Sequence, residues 1–254
     1  MSAEKFAAEV LGTMILILLG DGVVAGVLLS KSKANSAGWI VITLAWGMAV
    51  FSGIAVAGAA TGAHMNPAVS LAAFLDSAVN NGKFGLDSLL GYWVAQFIGA
   101  MIGATLVFLH YYPHWAETED PGLKLAVFST GPAIRNPLWN LVSEIIGTFV
   151  LVYVGWSIGG TAGTVAPAIG GALGWGLLIV VIGLSLGGTT GYAINPARDL
   201  GPRIMHAILP IAGKGSSDWE YAWIPVVGPL IGGAIGWAVY NYANLGFFLK
   251  IVGH

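Results

Sequence analysis

Two Asn-Pro-Ala triplets, Asn66-Pro67-Ala68 and Asn195-Pro196-Ala197, stand 129 residues apart in the chain. Each reads as a helix start, because Asn is a strong N-cap and Pro at the first helical position loses no hydrogen bond. One such triplet would be an ordinary cap. Two in register, each reached through a Gly-containing approach, would set two helix N-termini and two side-chain amides where an oxygen atom can be held as an acceptor. Arg198 follows the second triplet directly, in the first helical turn, where the macrodipole disfavours a cation. A pair with Asp199 would account for it structurally. The functional reading is a donor fork that binds hydroxyls and repels cations. This is chemistry for holding a neutral, hydrogen-bonding solute. No Ser/His/Asp set or pair of carboxylates is spaced for making and breaking bonds.

The composition says what surrounds these residues. Of 254 residues, 56% are hydrophobic and 9% charged, with 38 glycines and a mean hydropathy of +0.80. A soluble domain carries roughly 25% charged residues, so most of this exterior must face lipid. The net charge is −2 without a basic run, which excludes nucleic acid as a partner. The absence of cysteine removes disulfides, thiolate nucleophiles and Cys metal sites, and no cofactor or metal is expected.

A helix needs ~20 apolar residues to cross the hydrocarbon. The uncharged stretches from Lys33 to Asp76 and from Glu144 to Arg198 are too long for one crossing each. Turn-formers at Thr61-Gly62-Ala63 and Thr161-Ala162-Gly163, and Pro167, divide them. Six spans are predicted: Phe6 to Leu29, Gly38 to Ala57, Ser88 to His110, Leu138 to Trp156, Ala168 to Gly187, and Trp223 to Phe248. The stretches Asn66 to Leu75 and Asn195 to Ile204 would rise only ~15 Å as helices, so two of them, end to end, make one crossing. The first apolar run is longer than a signal-peptide core and lacks a cleavage site, so it is expected to stay in the mature protein.

The chain is also duplicated. Ala8-Glu9-Val10-Leu11-Gly12-Thr13 recurs as Ser143-Glu144-Ile145-Ile146-Gly147-Thr148, and Trp46-Gly47 recurs as Trp175-Gly176. The expectation is a single transmembrane domain over residues 1–254, with repeat 1 at about 6–110, a linker at about 111–137 and repeat 2 at about 138–248. Three spans per unit is an odd number, so the copies have inverted topology, a design that places a solute site at the midplane on a pseudo-twofold axis. Extra residues in the first copy are placed in the Ser30 to Ala37 link.

Six spans with two Asn-Pro-Ala half-helices resemble the aquaporin family over nearly the whole chain. Gly62-Ala63-His64-Met65-Asn66-Pro67-Ala68-Val69 and Asn195-Pro196-Ala197-Arg198-Asp199-Leu200-Gly201-Pro202-Arg203 are similar to its glycerol-facilitator branch. The resemblance implies an all-α fold and a selectivity filter of Trp46, Gly183, Tyr192 and Arg198. Gly183 stands where water-selective members place a narrowing His, and Tyr192 where Phe is more usual. It implies a ladder of pore carbonyls from Gly62, Ala63, His64 and Met65 and from Gly191, Tyr192 and Ala193. Glu9, Glu144 and Asp199 would support the re-entrant loops. The implied activity is passive conduction of glycerol and water, with dihydroxyacetone, urea or undissociated lactic acid as further candidates. A homotetramer in a bacterial plasma membrane, termini in the cytoplasm, is implied too.

Rival readings are a water-selective channel, against which Gly183 and Asp199 argue, and a coupled transporter, which would want a titratable midplane group. An intramembrane enzyme lacks a nucleophile. Asp21 has no repeat counterpart and is placed near a span end. His110, His114, Glu117 and Glu119 are read as loop residues rather than metal ligands, because Pro113 breaks any shared helical face. Gly213-Lys214-Gly215-Ser216 lacks the first glycine of a phosphate loop. Glycines at small-xxx-small spacing, such as Gly99/Gly103 and Gly228/Gly232/Gly236, are assigned to close helix packing. The positive-inside rule does not support cytoplasmic termini, since Lys31, Lys33, Lys124, Arg135 and Lys214 then lie outside, against Lys5, Lys83 and Lys250 inside.

Overall fold

The computed structural model describes residues 1–161 and 171–243. Those residues form ten helices and no strand: α1 (Ala3–Leu28), α2 (Trp39–Thr61), α3 (Pro67–Val79), α4 (Leu86–His110), α5 (Tyr112–Glu117), α6 (Pro121–Phe128), α7 (Pro137–Thr161), α8 (Ala172–Leu186), α9 (Pro196–Ile208) and α10 (Ile224–Ala243). Five of them, α1, α2, α4, α7 and α10, are long and apolar enough to cross a membrane. The sixth span is α8, whose 15 residues rise about 22 Å. The half-helices are α3 and α9. The expected break at Ala162-Gly163 and Pro167, the start of the fifth span at Ala168, Gly170, the last span's end at Phe248 and Lys250 all lie outside the described residues.

The helix ends follow from local chemistry. α2 runs four residues past the expected Ala57, because nothing before Gly62 stops it. Gly62 adopts the left-handed conformation (φ 80°) and its N–H closes the last turn on the Gly58 carbonyl. α3 continues past Asp76, a charge that stays within the helix because Asn80, Trp237 and Asn241 all donate to its Oδ1. The predicted linker is partly helical. Asp120 caps α6 by accepting from the Gly122 N–H, and Trp115 and Phe128 are buried.

The four helices from α1 to α4 and the four from α7 to α10 form the two halves. α1 packs on α2 and α4, while α7 packs on α10 and α8. Close approach needs residues without side chains: a Cβ on Gly99 of α4 would lie 2.4 Å from the Val10 carbonyl oxygen, and one on Gly232 of α10 would lie 2.2 Å from that of Ile145. The halves meet where α2 crosses α8 with Gly47 against Gly176. Each half-helix packs chiefly on the last helix of the other half, α3 on α10 and α9 on α4. That exchange brings the N-termini of α3 and α9 to the centre of the molecule.

Candidate functional site

The segments entering the two half-helices have unusual backbone. Gly62, Ala63 and Met65 have φ of 80°, 52° and 49°, and Gly191, Tyr192 and Ile194 have 85°, 42° and 44°. A non-glycine residue held there costs about 1–3 kcal/mol, and a β-branched one such as Ile194 is rarer still. Two fully buried carboxylates hold these conformations. Glu9 Oε1 accepts from the Thr61 hydroxyl at 2.7 Å and the His64 N–H at 2.9 Å, and its Oε2 accepts from the Met65 N–H and the Gln96 amide, both at 2.8 Å. Glu144 Oε1 accepts from the Thr190 hydroxyl at 2.7 Å and the Ala193 N–H at 3.0 Å, and its Oε2 from the Ile194 N–H at 2.8 Å. In a trans peptide the carbonyl points opposite to its N–H. The carbonyls of Ala63, His64, Tyr192 and Ala193 therefore turn away from the carboxylates and toward the central cavity, which all four residues line.

The two half-helix starts interlock. Asn66 Oδ1 accepts from the Ala68 N–H at 2.9 Å, and Asn195 Oδ1 from the Ala197 N–H at 3.0 Å and the Arg198 N–H at 3.2 Å. Pro67, Ala68, Pro196 and Ala197 are buried within the first turns. Each amide then reaches across: Asn66 Nδ2 donates to the Ile194 carbonyl and Asn195 Nδ2 to the Met65 carbonyl, both at 2.8 Å. An amide nitrogen has two hydrogens, so one of each pair serves as a clamp and the second is left for the cavity that both Asn residues line.

At one end of the cavity stand Trp46, Tyr192 and Arg198, all buried. The guanidinium does not oppose the indole but lies over it, with Arg198 Cζ 4.2 Å from the Trp46 ring centroid, a cation–π contact. Its Nη1 is 3.5 Å from the Phe128 carbonyl and 3.6 Å from Asp21 Oδ1. Asp21 is thus no span-end residue; it is fully buried inside α1. Asp199 pairs with Arg203 at 2.8 Å rather than with Arg198, and its Oδ2 accepts from the Thr130 N–H and hydroxyl, both at 2.7 Å. It anchors the segment after α6 and makes no bond to the loop before Asn195.

Gly183 and Gly191 do not border the cavity. A Cβ on Gly183 would meet Tyr192 Cζ at 2.8 Å, so the space that the missing side chain opens is filled by the tyrosine ring. Trp39, edge-on to Tyr192, donates its indole N–H to the Gly183 carbonyl at 3.0 Å. Gly191 faces Thr130. The cavity, of about 550 Å³, runs along α2 past Trp46, Val50, Ile54 and Gly58, about 18 Å, and is lined from the second half by Trp175 and Tyr240 among others. Ile194, Thr61, Thr190, Gln96 and Asp21 belong to this arrangement and were missed in the sequence. Ile194 had a signal, since the 129-residue register maps Met65 onto it.

Comparison with known proteins agrees with this architecture. The family model "Major intrinsic protein" matches residues 1–240. The chain is 54% identical over 241 residues to glycerol uptake facilitator protein 3 of Lactiplantibacillus plantarum, covering 94% of this chain and 96% of that protein. It is 56% identical over 244 residues to the glycerol uptake facilitator protein of Streptococcus pneumoniae strain R6, covering 95% and 99%. The X-ray structure of the aquaglyceroporin from Plasmodium falciparum superposes with a TM-score of 0.79 at 28% identity, covering 98% of both chains. With its apolar crossing helices and two meeting half-helices, the chain is a multi-pass membrane protein and belongs to the major intrinsic protein family.

Proposed function

We propose that this protein is a passive channel for glycerol and similar small uncharged solutes, with water, that excludes ions and protons. The observation that carries the reading is the pair of half-helix N-termini clamped across a continuous cavity by Asn66 and Asn195. Two positive dipole ends and two spare amide hydrogens meet the solute there. Water and hydroxyl oxygens are held as acceptors, while cations meet a positive potential. Trp46, Tyr192 and Arg198 act as the selectivity filter, with Gly183 behind Tyr192. Rings take the carbons of a polyol and the guanidinium takes its hydroxyls. Of the carbonyls expected in the acceptor ladder, those of Gly62, Ala63, His64 and Met65 and of Tyr192 and Ala193 form it, and Gly191 stands behind them. Glycerol is named because the relatives above are called glycerol uptake facilitators.

The whole chain acts as one channel domain with two inverted repeats, assembled as a homotetramer in a bacterial plasma membrane with cytoplasmic termini. The test is light scattering of proteoliposomes containing the purified protein under glycerol and sucrose gradients. Fast shrinkage followed by fast glycerol re-entry, and none of sucrose, is expected. Fast shrinkage alone would make it a water channel. No acceleration of either by folded protein would overturn the reading.

A further inference from the structure

The duplication leaves one acidic residue unexplained. Asp21 sits in α1 where the second copy has Trp156, so whatever it does belongs to one end of the cavity only. It is fully buried, and neither carboxylate oxygen has a hydrogen-bond partner among the described residues. An ionised carboxylate buried without hydrogen bonds is costly unless a charge stands opposite it. The charge present is Arg198, with Nη1 3.6 Å from Oδ1.

The neighbouring residue shares the task. A Cβ on Gly20 would lie 2.2–2.5 Å from three atoms of the Trp46 ring, so the indole rests flush on α1. Gly155 receives Trp175 in the same way in the second half, at 2.2 Å. The Gly seat is therefore common to both halves, and the acid beside it is particular to the first half, whose seat holds the ring that Arg198 of the second half covers. Gly20 and Asp21 together form a platform: one takes the ring, and the other takes the guanidinium stacked on that ring.

We propose that Asp21 is the positioning residue of the constriction: its carboxylate holds the Arg198 guanidinium against Trp46, at the wall of the solute path, and balances its charge there. The inference rests on the channel reading above and adds two consequences. Solute width at this end depends on Asp21 as much as on the ring residues. Exclusion of cations falls mainly to the half-helix N-termini at Asn66 and Asn195, since the Arg198 charge is balanced locally. The other nearby acid, Asp199, is already engaged by Arg203 and Thr130, and so cannot take over.

The experiment compares glycerol and water permeability of proteoliposomes for the unaltered protein, Asp21→Asn, Arg198→Gln and the double variant. The ratio of the two permeabilities cancels the amount of folded channel. Releasing the guanidinium toward the path is expected to lower the glycerol-to-water ratio of Asp21→Asn about fivefold. In the Arg198→Gln background the same substitution should leave the ratio unchanged. If Asp21→Asn keeps the ratio of the unaltered channel, or shifts it equally with Arg198 absent, the proposal is wrong. Should Asp21→Asn fail to fold, the comparison of Arg198→Gln with the double variant, which buries no net charge, decides it by the same criterion. Absence of glycerol flux through the unaltered protein overturns the channel's solute instead. The Asp21 proposal is then judged by water permeability per folded molecule across the same four proteins, where an effect of Asp21→Asn that vanishes without Arg198 supports it and a persistent or absent effect sinks it.

Discussion

A residue can set the width of a passage without touching it, and Gly183 does so here. Its lack of a side chain lets Tyr192 lie back against α8, with the ring where a Cβ would otherwise be. Gly183→Ala should push that ring toward the cavity, raising the barrier to glycerol by about 1.4 kcal/mol, a tenfold loss of permeability. Water, being smaller, should lose less. Equal loss of both would mean that the substitution disturbs folding and not width. The Tyr192 hydroxyl makes a complementary case. It is buried with no hydrogen-bond partner among the described residues, so its removal costs no bond. Tyr192→Phe should raise thermal stability in detergent, by up to about 1 kcal/mol, and leave glycerol flux intact. A fall in flux would show that the hydroxyl grips the solute. The motif pointed to Arg198 and the resemblance to Tyr192, yet neither placed the guanidinium over the Trp46 ring. Asp21 explains the difference, and it was not legible: its partner lies far along the chain, and the repeat register offered no second copy to give it away.

At the scale of elements, the two loops before Asn66 and Asn195 are where strain and compensation balance. Each holds two non-glycine residues at positive φ, and each is tied to one buried glutamate through backbone N–H groups and a threonine hydroxyl. A glutamine at either site keeps the shape but replaces one acceptor oxygen with a donor that faces an N–H. Glu9→Gln and Glu144→Gln should each cost roughly 1.5–3 kcal/mol for a lost charge-assisted bond. Thermal unfolding in detergent would show it, and water and glycerol permeability should fall together, since the carbonyl ladder as a whole loses its hold. Loss of glycerol conduction alone would place these residues in selectivity instead. The repeat made both glutamates readable, because two symmetric in-span carboxylates ask for a shared reason. Their donors were less so, since Gln96 contributes only to Glu9 and the threonines read as loop residues. α5 and α6 were missed for another reason: their helical signals are Pro and Asp caps in a stretch of mixed polarity, and tertiary burial of Trp115 and Phe128 decides their fold.

For the whole molecule, the structure gives a reason why the charge count runs against the proposed orientation. The links on one side of the bundle touch one another: Ser30 N–H donates to Thr118, Lys31 pairs with Glu117, and Arg135 pairs with Asp218. Met1 pairs with Asp87 at the opposite end of α1 and α4. Of the five basic residues on the link side, four have structural work. Lys124 donates to the Ala212 carbonyl, and Lys214 donates to the carbonyls of His206, Ala207 and Leu209, closing the C-terminus of α9. Lysines held by folded carbonyls serve the native structure, whereas the positive-inside rule reads charges near the ends of spans during insertion. The chain has no cysteine, so a single introduced one reports its own side without background. Lys33 and Lys83 are both exposed and lie on opposite sides. With cytoplasmic termini, Lys33→Cys should react with a membrane-impermeant maleimide in intact cells, and Lys83→Cys only after permeabilisation. The reverse pattern would turn the molecule over, placing the Trp46, Tyr192 and Arg198 end of the cavity toward the cytoplasm, so that a solute arriving from outside would pass the Asn66 and Asn195 pair before it reached the filter.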